Sequence, residues 1–193
     1  MAEISLRAAT EKDAERILEI YAPYIIKTAI TFEYDVPTVD EFRSRIKKTL
    51  EKYPYIVACN GGKIVGYAYA SPFKGRAAYD HSAELSIYVH ENEHKKGIGK
   101  LLYSAMEMAL GKMNITNLEA CITHAAVKDK YLKNESEAFH EKMGYKKAAH
   151  FSMCGYKFGN WYDVVWMEKF IGEHKADMPA VIPFNMIKDE LGL

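Results

Sequence analysis

Residues 94 to 100 read His94-Lys95-Lys96-Gly97-Ile98-Gly99-Lys100, with three lysines and two glycines opening a helical segment. The chemistry suited to such a run is anion binding. The first N–H groups of a helix lack internal partners, and the aligned peptide dipoles put partial positive charge there. Gly97 and Gly99 let a phosphate approach the backbone, while Lys95, Lys96 and Lys100 add charge. A phosphorylated ligand is therefore the occupant to expect, with a basic solvated turn as the alternative. Two familiar phosphate loops do not fit. A Walker loop ending at Gly99-Lys100 would need a glycine where His94 stands, and a dinucleotide loop starting at Gly97 would need one at Leu102.

A carboxylate precedes this run by one strand length. Ala83, Leu85, Ile87 and Val89 alternate with Glu84, Ser86, Tyr88 and His90, the period of a half-buried strand. Glu84 thus points away from the apolar face. A lone strand glutamate can be a base, a solvated charge, or the partner of Arg76 or a lysine. Beyond the run, Leu102, Met106, Ala109 and Leu110 share a helical stripe with Leu101, Ala105 and Met108 beside it, which predicts a well-buried helix from Leu101.

The rest of the chain reads as alternating elements that hold these groups. Ser5–Ala8 predicts a short strand, and Thr10-Glu11-Lys12-Asp13 and Thr38-Val39-Asp40-Glu41 predict two helix starts. Pro54 ends the second helix. Tyr55–Cys59 and Ile64–Ala70 are strand-like runs joined by Asn60-Gly61-Gly62, a hairpin signal. Further strands are expected at Leu118–Thr123, Tyr145–Met153 and Trp161–Phe170, with Gly155–Asn160 as the last connection. A helix is expected over Glu135–Met143, with Gly144 as its cap. The expectation is an α/β (α+β) fold with residues 1–172 as the domain and 173–193 as a tail. That tail either wraps the domain, reaches a partner subunit or packs loosely.

Composition narrows the function classes. The 193 residues carry 26 basic and 26 acidic side chains, so bulk charge suggests neither a nucleic-acid nor a membrane partner. Hydrophobic residues at 49% suffice for a substantial core. Cys59, Cys121 and Cys154 have no metal-like spacing and sit in apolar or strand-like contexts, predicting buried free thiols and a cytoplasmic protein. The histidines show no metal spacing either, and no metal is expected.

The run at 94–99 resembles the acetyl-CoA pyrophosphate loop of the GNAT acetyltransferase superfamily, commonly Arg/Gln-x-x-Gly-x-Gly/Ala, with His94 departing from the usual first residue. Over Leu6–Phe170 the order of elements is similar as well. The segments Thr31-Phe32-Glu33, Pro72–Tyr79, Ala83–Val89 and Trp161–Val164 resemble the phosphinothricin acetyltransferase branch. The resemblance implies a mixed, largely antiparallel twisted sheet, flanked by helices, whose central strands splay to admit acetyl-CoA.

It also implies roles. Glu84 would be the general base and His140, four residues before Gly144-Tyr145, an acid or orienting group; a helix histidine packed near the sheet is the alternative. The backbone at Ile87, Tyr88 and Val89 would receive the pantetheine arm, and Lys95, Lys96, Gly97, Ile98, Gly99 and Lys100, with His94, the pyrophosphate. Asn134 and Ser136 would add polar cofactor contacts. Phe32, Glu33, Phe73, Arg76 and Tyr79 would select a small amine, Arg76 gripping an acid group in a forked pair unless it is only a surface charge. A homodimer is implied too. Within enzymes the alternative acceptors are a peptide N-terminus or a polyamine; outside them, the chain would be an acyl-CoA-binding sensor.

Overall fold

The computed structural model describes residues 4–193. Strand β1 (Ile4–Ala8) turns into helix α1 (Ala14–Lys27), and helix α2 (Val39–Leu50) follows. At the first helix start the Asp13 carboxylate accepts the Thr10 N–H at 2.7 Å. At the second, Glu41 N–H donates to Thr38 Oγ1 at 3.2 Å while Thr38 N–H donates to Glu41 Oε2 at 2.7 Å. Each box satisfies N–H groups that the helix itself leaves unpaired. Strands β2 (Tyr55–Asn60) and β3 (Lys63–Pro72) form the expected hairpin. The later elements are β4 (Ser82–Val89), α3 (Ile98–Lys112), β5 (Asn117–His124), α4 (Glu135–Lys142), β6 (Lys146–Lys157) and β7 (Asn160–Phe170).

These strands make one sheet in the order β1-β2-β3-β4-β5-β7-β6. Neighbours are antiparallel except β4 and β5, which are parallel because α3 crosses over between them. That pairing lasts for three residues, Ser82–Glu84 against Asn117–Glu119. Beyond it β4 stays with β3 as far as Val89, and β5 stays with β7 as far as His124. A gap therefore opens in the middle of the sheet immediately after Glu84.

Both faces of the sheet are packed. On one, Leu102, Met106, Ala109 and Leu110 of α3 are fully buried against Ala83, Leu85, Leu118, Ala120 and Met167. On the other, Ile17, Ile25, Phe42 and Ile46 of α1 and α2 cover Tyr55, Val57 and Tyr67. The segment after β7 lies back on the domain: Ile182 N–H donates to Met113 O, Phe184 N–H donates to Lys52 O, and the Phe184 ring is buried in the α3 core.

The structure corrects several expectations. Helix α3 starts at Ile98 and not at Leu101, because Gly97 takes φ 82° and turns the chain into the helix earlier. The buried stripe is narrower than expected, and Leu101 and Met108 stay exposed at 44% and 48%. Of the three cysteines only Cys59 is buried; Cys121 and Cys154 are exposed. Strand β6 runs on to Lys157 through a bulge between Phe151 and Gly155, and the turn falls at Phe158-Gly159. Gly155 belongs to the strand because the Phe32 ring lies against it. A Cβ at Gly155 would come within 2.1 Å of that ring.

Candidate active site

The gap between β4 and β5 is a cleft of about 50 Å³ walled by Ser86, Ile87 and Tyr88 on one side and Cys121, Ile122 and Thr123 on the other. Tyr103 of α3 and Ser136 and His140 of α4 line it as well. Past Glu84 the β4 backbone has no strand on its β5 side, so its N–H and C=O groups there are available to a ligand.

At the far end of β4 the loop begins. Tyr24 donates its hydroxyl to Val89 O and accepts from Val89 N–H at 3.3 Å. His94 Nε2 lies 2.9 Å from both Val89 O and the Tyr24 hydroxyl. The histidine thus ties the loop back to its strand, and the Val89 backbone is engaged by Tyr24. Lys95 and Lys100 are exposed, and Lys96 pairs with Glu93 at 3.0 Å. Ile98 is buried beneath the loop, with Gly99 next in the first turn of α3. At Gly97 no atom lies within 4 Å of where a Cβ would stand, and its positive φ disfavours any other residue. The turn at Gly97 that opens α3 therefore borders open space, while Gly99 packs close to the Phe139 ring. Open N–H groups, positive charge and the unpaired β4 edge together fit a nucleotide-like pyrophosphate carrying an extended arm.

The far wall of the cleft is set by α4. Asn134 adopts φ 59° and its side-chain amide clamps the end of β5, accepting Ala125 N–H at 2.8 Å and donating to Ala125 O at 2.9 Å. That side chain is spent on scaffold, whereas Ser136 and His140 reach the cleft. His140 is 3% exposed. Its Nδ1 lies 2.7 Å from Ser136 O, which can only accept, so Nδ1 carries the proton and Nε2 accepts the Tyr103 hydroxyl at 2.8 Å. Burial lowers the His140 pKa, which keeps the ring neutral.

Glu84 stands where the strands part. Partial burial lifts its carboxyl above the ordinary range, and Lys74 opposes that shift. Its parallel neighbour is Glu119, whose pKa is pushed up to about 7 by burial, then by Glu168 and Glu84. Carboxylates from β4, β5 and β7 thus share one sheet face.

The expected amine-binding residues fall into two groups. Phe73 packs edge-on against Tyr79 and Trp166, with Lys74 Nζ over both the Phe73 and Trp166 rings, and the exposed Arg76 precedes the turn Ala77–Tyr79. Across the sheet face, Phe32 rests on Gly155, and Glu33 accepts Arg45 at 2.6 Å and the Tyr21 hydroxyl at 3.3 Å. Lys157, 2% exposed, donates to Thr28 O at 3.0 Å and Thr31 O at 2.7 Å and so fixes the backbone leading into Phe32.

Tyr24, Tyr103, Glu119 and Lys157 were not read from the sequence as site residues. Tyr103 sits in a helix whose apolar stripe masks it, and Lys157 looks like any surface lysine. Glu119 had a usable signal, since it alternates with Leu118 and Ala120, but its neighbour depends on the parallel pairing.

The acetyltransferase (GNAT) domain model matches residues 6–166. The chain belongs to the GNAT acetyltransferase family. A phosphinothricin N-acetyltransferase of Streptomyces viridochromogenes is 30% identical over 169 residues, covering 86% of this chain and 88% of that protein. An L-methionine sulfoximine/L-methionine sulfone acetyltransferase of Salmonella typhimurium is 27% identical over 90% of this chain and 98% of its own length. Among solved structures, a GNAT phosphinothricin acetyltransferase from Sinorhizobium meliloti in complex with AcCoA matches with a TM-score of 0.85 and 32% identity, over 94% of this chain and 96% of that one. Fold and family expectations are therefore met: this acetyltransferase has the mixed sheet with parted central strands that the resemblance implied.

Proposed function

We propose that this GNAT enzyme transfers acetyl from acetyl-CoA to the amine of a small amino acid or amino-acid analogue of the phosphinothricin, methionine sulfone or methionine sulfoximine kind. The observation that carries the reading is the end of the β4–β5 ladder immediately after Glu84, which puts a half-buried carboxylate at the mouth of a cleft walled by unpaired backbone. Gly97, Ile98, Gly99 and the lysines at 95, 96 and 100, with His94 bracing the loop, hold the pyrophosphate, and the edge at Ile87 and Tyr88 holds the arm. Bound there, acetyl-CoA supplies a thioester carbonyl open to an amine.

The chain's own residues do the rest. An alkyl ammonium ionises near pKa 10.4, so the acceptor must lose a proton before it can attack. Glu84, made more basic by burial, takes that proton directly or through a water. A β4 amide turned toward the cleft stabilises charge developing on the carbonyl oxygen. His140 acts through the Tyr103 hydroxyl that it holds at the cleft wall. A thiol ionises near pKa 8.5, so its departure needs little further help. Arg76, beside the Phe73–Tyr79 pair, receives the acceptor's acid group from one side, and the Phe32–Glu33 loop closes the other.

The β6–β7 hairpin leaves Phe151, Met153, Tyr156 and Trp161 exposed at 52%, 67%, 49% and 61%. An apolar surface of that kind suits burial against a second copy, and we read the enzyme as a cytoplasmic homodimer through this hairpin; a monomeric mass in sedimentation would refute the dimer. For the reaction, thiol release from acetyl-CoA is measured with a panel of amines. Release dependent on methionine sulfone, sulfoximine or phosphinothricin supports the reading. Release with polyamines or peptides alone overturns the substrate class, and acetyl-CoA binding without release to any amine overturns the transferase.

A further inference from the structure

Beneath α2, on the same sheet face as Glu84, lies a second and larger cavity of about 510 Å³. Its floor is tyrosine. Tyr55, Tyr67 and Tyr69 stack with ring planes 14–18° apart and centroids 5.1–6.4 Å apart, forming one wall of near-parallel rings. The hairpin register sets Tyr55 opposite Tyr69, and Tyr67 follows two residues away on the same face. The cavity adjoins the catalytic carboxylate through β3: its Ser71 wall residue is the cross-strand partner of Glu84, and Tyr69 is the partner of Ser86.

Two features make this more than a packing gap. Tyr55 and Tyr67 are 2% and 1% exposed and line the cavity, and neither hydroxyl is among the buried polar atoms left without a partner, so what each ring exposes leaves its hydroxyl open to the cavity and not sealed in the core. At the rim Arg45 is held by Glu33 and Lys52 by Asp80 at 2.9 Å, and the remaining charged lining residues, Lys48 and Glu51, are of opposite sign. The lining therefore carries no strong net charge to select an anion or a cation. It suits a flat, uncharged ring with a polar substituent that can satisfy the two phenols.

We propose that this chamber receives the acceptor's side chain, and that the preferred acceptor is an amino acid or amine with a planar, hydrogen-bonding aromatic side chain such as a phenol or an indole. The inference rests on the acetyl-transfer reading of the Glu84 site and goes beyond its acceptor class, ranking aromatic acceptors above the sulfone kind. The acceptor's amine lies at Glu84 while its ring extends under α2 along the tyrosine wall. The transfer forms the amide N–C bond and breaks the thioester C–S bond. One ammonium proton passes to Glu84 before attack, and the second, lost from nitrogen as the C–S bond breaks, goes to the departing sulfur, so that CoA leaves as its free thiol.

The test compares kcat/KM for L-tyrosine, L-tryptophan and tyramine with that for L-methionine sulfone, in the wild type and in Thr49→Trp, which fills the chamber from α2. The expected result is a preference of about tenfold or more for the aromatic acceptors, and a fall of about tenfold in the aromatic-to-sulfone ratio in Thr49→Trp, the scale on which pocket shape discriminates side chains. Should Thr49→Trp fail to fold, Tyr55→Phe and Tyr67→Phe remove the hydroxyls at constant shape and should lower the same ratio. Sulfone acetylated with no aromatic preference would overturn the chamber proposal and leave the transferase reading standing. Indole or phenol that alters the rate without competing with the amine would overturn it too, by making the chamber an effector site. No release with any amine would bring down both readings together.

Discussion

The two halves of the proposed active site are built by different means. On the donor side, everything from Glu84 to the first turn of α3 lies in one continuous stretch, and the binding groups are mainly backbone: the free β4 edge, the turn at Gly97 and the N–H groups that begin α3. On the acceptor side, nothing is continuous. Phe32 sits on Gly155, Lys157 holds the carbonyls of Thr28 and Thr31, Phe73 leans on Trp166, and a tyrosine wall comes from a hairpin far from all of them in sequence. A backbone site presents the same groups whatever the side chains, so it can serve one common donor. A site assembled from side chains on separate elements can change its ligand through single substitutions without disturbing the donor half.

Glu84 lies on the seam, and Glu84→Gln is the sharpest cut between the halves. Removing the base while keeping its shape is expected to lower kcat by about two to four orders of magnitude. Acetyl-CoA affinity, measured by calorimetry, should stay within a factor of two or so, because neither the β4 edge nor the α3 turn is touched. An equal loss of affinity would mean that the halves are not separable. Gly97→Val probes the donor half alone. A β-branched residue at φ 82° is strained and crowds the helix start, so acetyl-CoA affinity should fall by about tenfold or more with the amine KM little changed.

The same division explains what was legible in the sequence. The hairpin turn at Gly61-Gly62, the Thr38–Glu41 box, the alternation around Glu84 and the loop at 94–99 are all local patterns, and each appears where it was read. Residues made important by tertiary contact were missed. Glu119 meets Glu84 only because β5 runs parallel to β4, and Tyr103 meets His140 only because α4 packs on α3. Gly155 looked like a turn residue. Its real role is to leave room for a ring from another segment, and that overrode the local signal and carried β6 on to Lys157. The same limit applies to Cys121 and Cys154: a strand-like context says that one face is buried but not which face a helix covers.

Lys157→Met probes the acceptor half alone. The ammonium lies buried among carbonyls, with burial lowering its pKa and Glu33 opposing. Methionine keeps most of the volume but leaves the carbonyls of Thr28 and Thr31 without their donor, a loss of about 1–3 kcal/mol that the 28–33 segment can relieve by shifting. The expected signature is an amine KM raised about tenfold with the acetyl-CoA KM unchanged. If both KM values rise together, the segment braces the whole fold and not the acceptor side.

Glu119→Gln should have the smallest effect, and it tests the seam from the other side. Glu84 and Glu119 are parallel neighbours: burial, then the charges of Glu168 and Glu84, hold Glu119 protonated to about pH 7. Because the Glu119 pKa is higher in the folded than in the unfolded chain, its contribution to stability is complete below the unfolded value and is lost as pH rises toward 7. Glutamine cannot ionise, so the melting temperature of Glu119→Gln relative to wild type should rise between pH 5 and pH 8 and then level off. The activity profile carries the finer signal. Ionisation of Glu119 adds negative charge beside Glu84 and makes that base stronger, so the wild-type kcat/KM profile should show an inflection near pH 7 that Glu119→Gln lacks, while the limb set by Glu84 itself remains. A melting difference flat across that range would show that Glu119 is already ionised below it, and the two carboxylates would then be solvated neighbours.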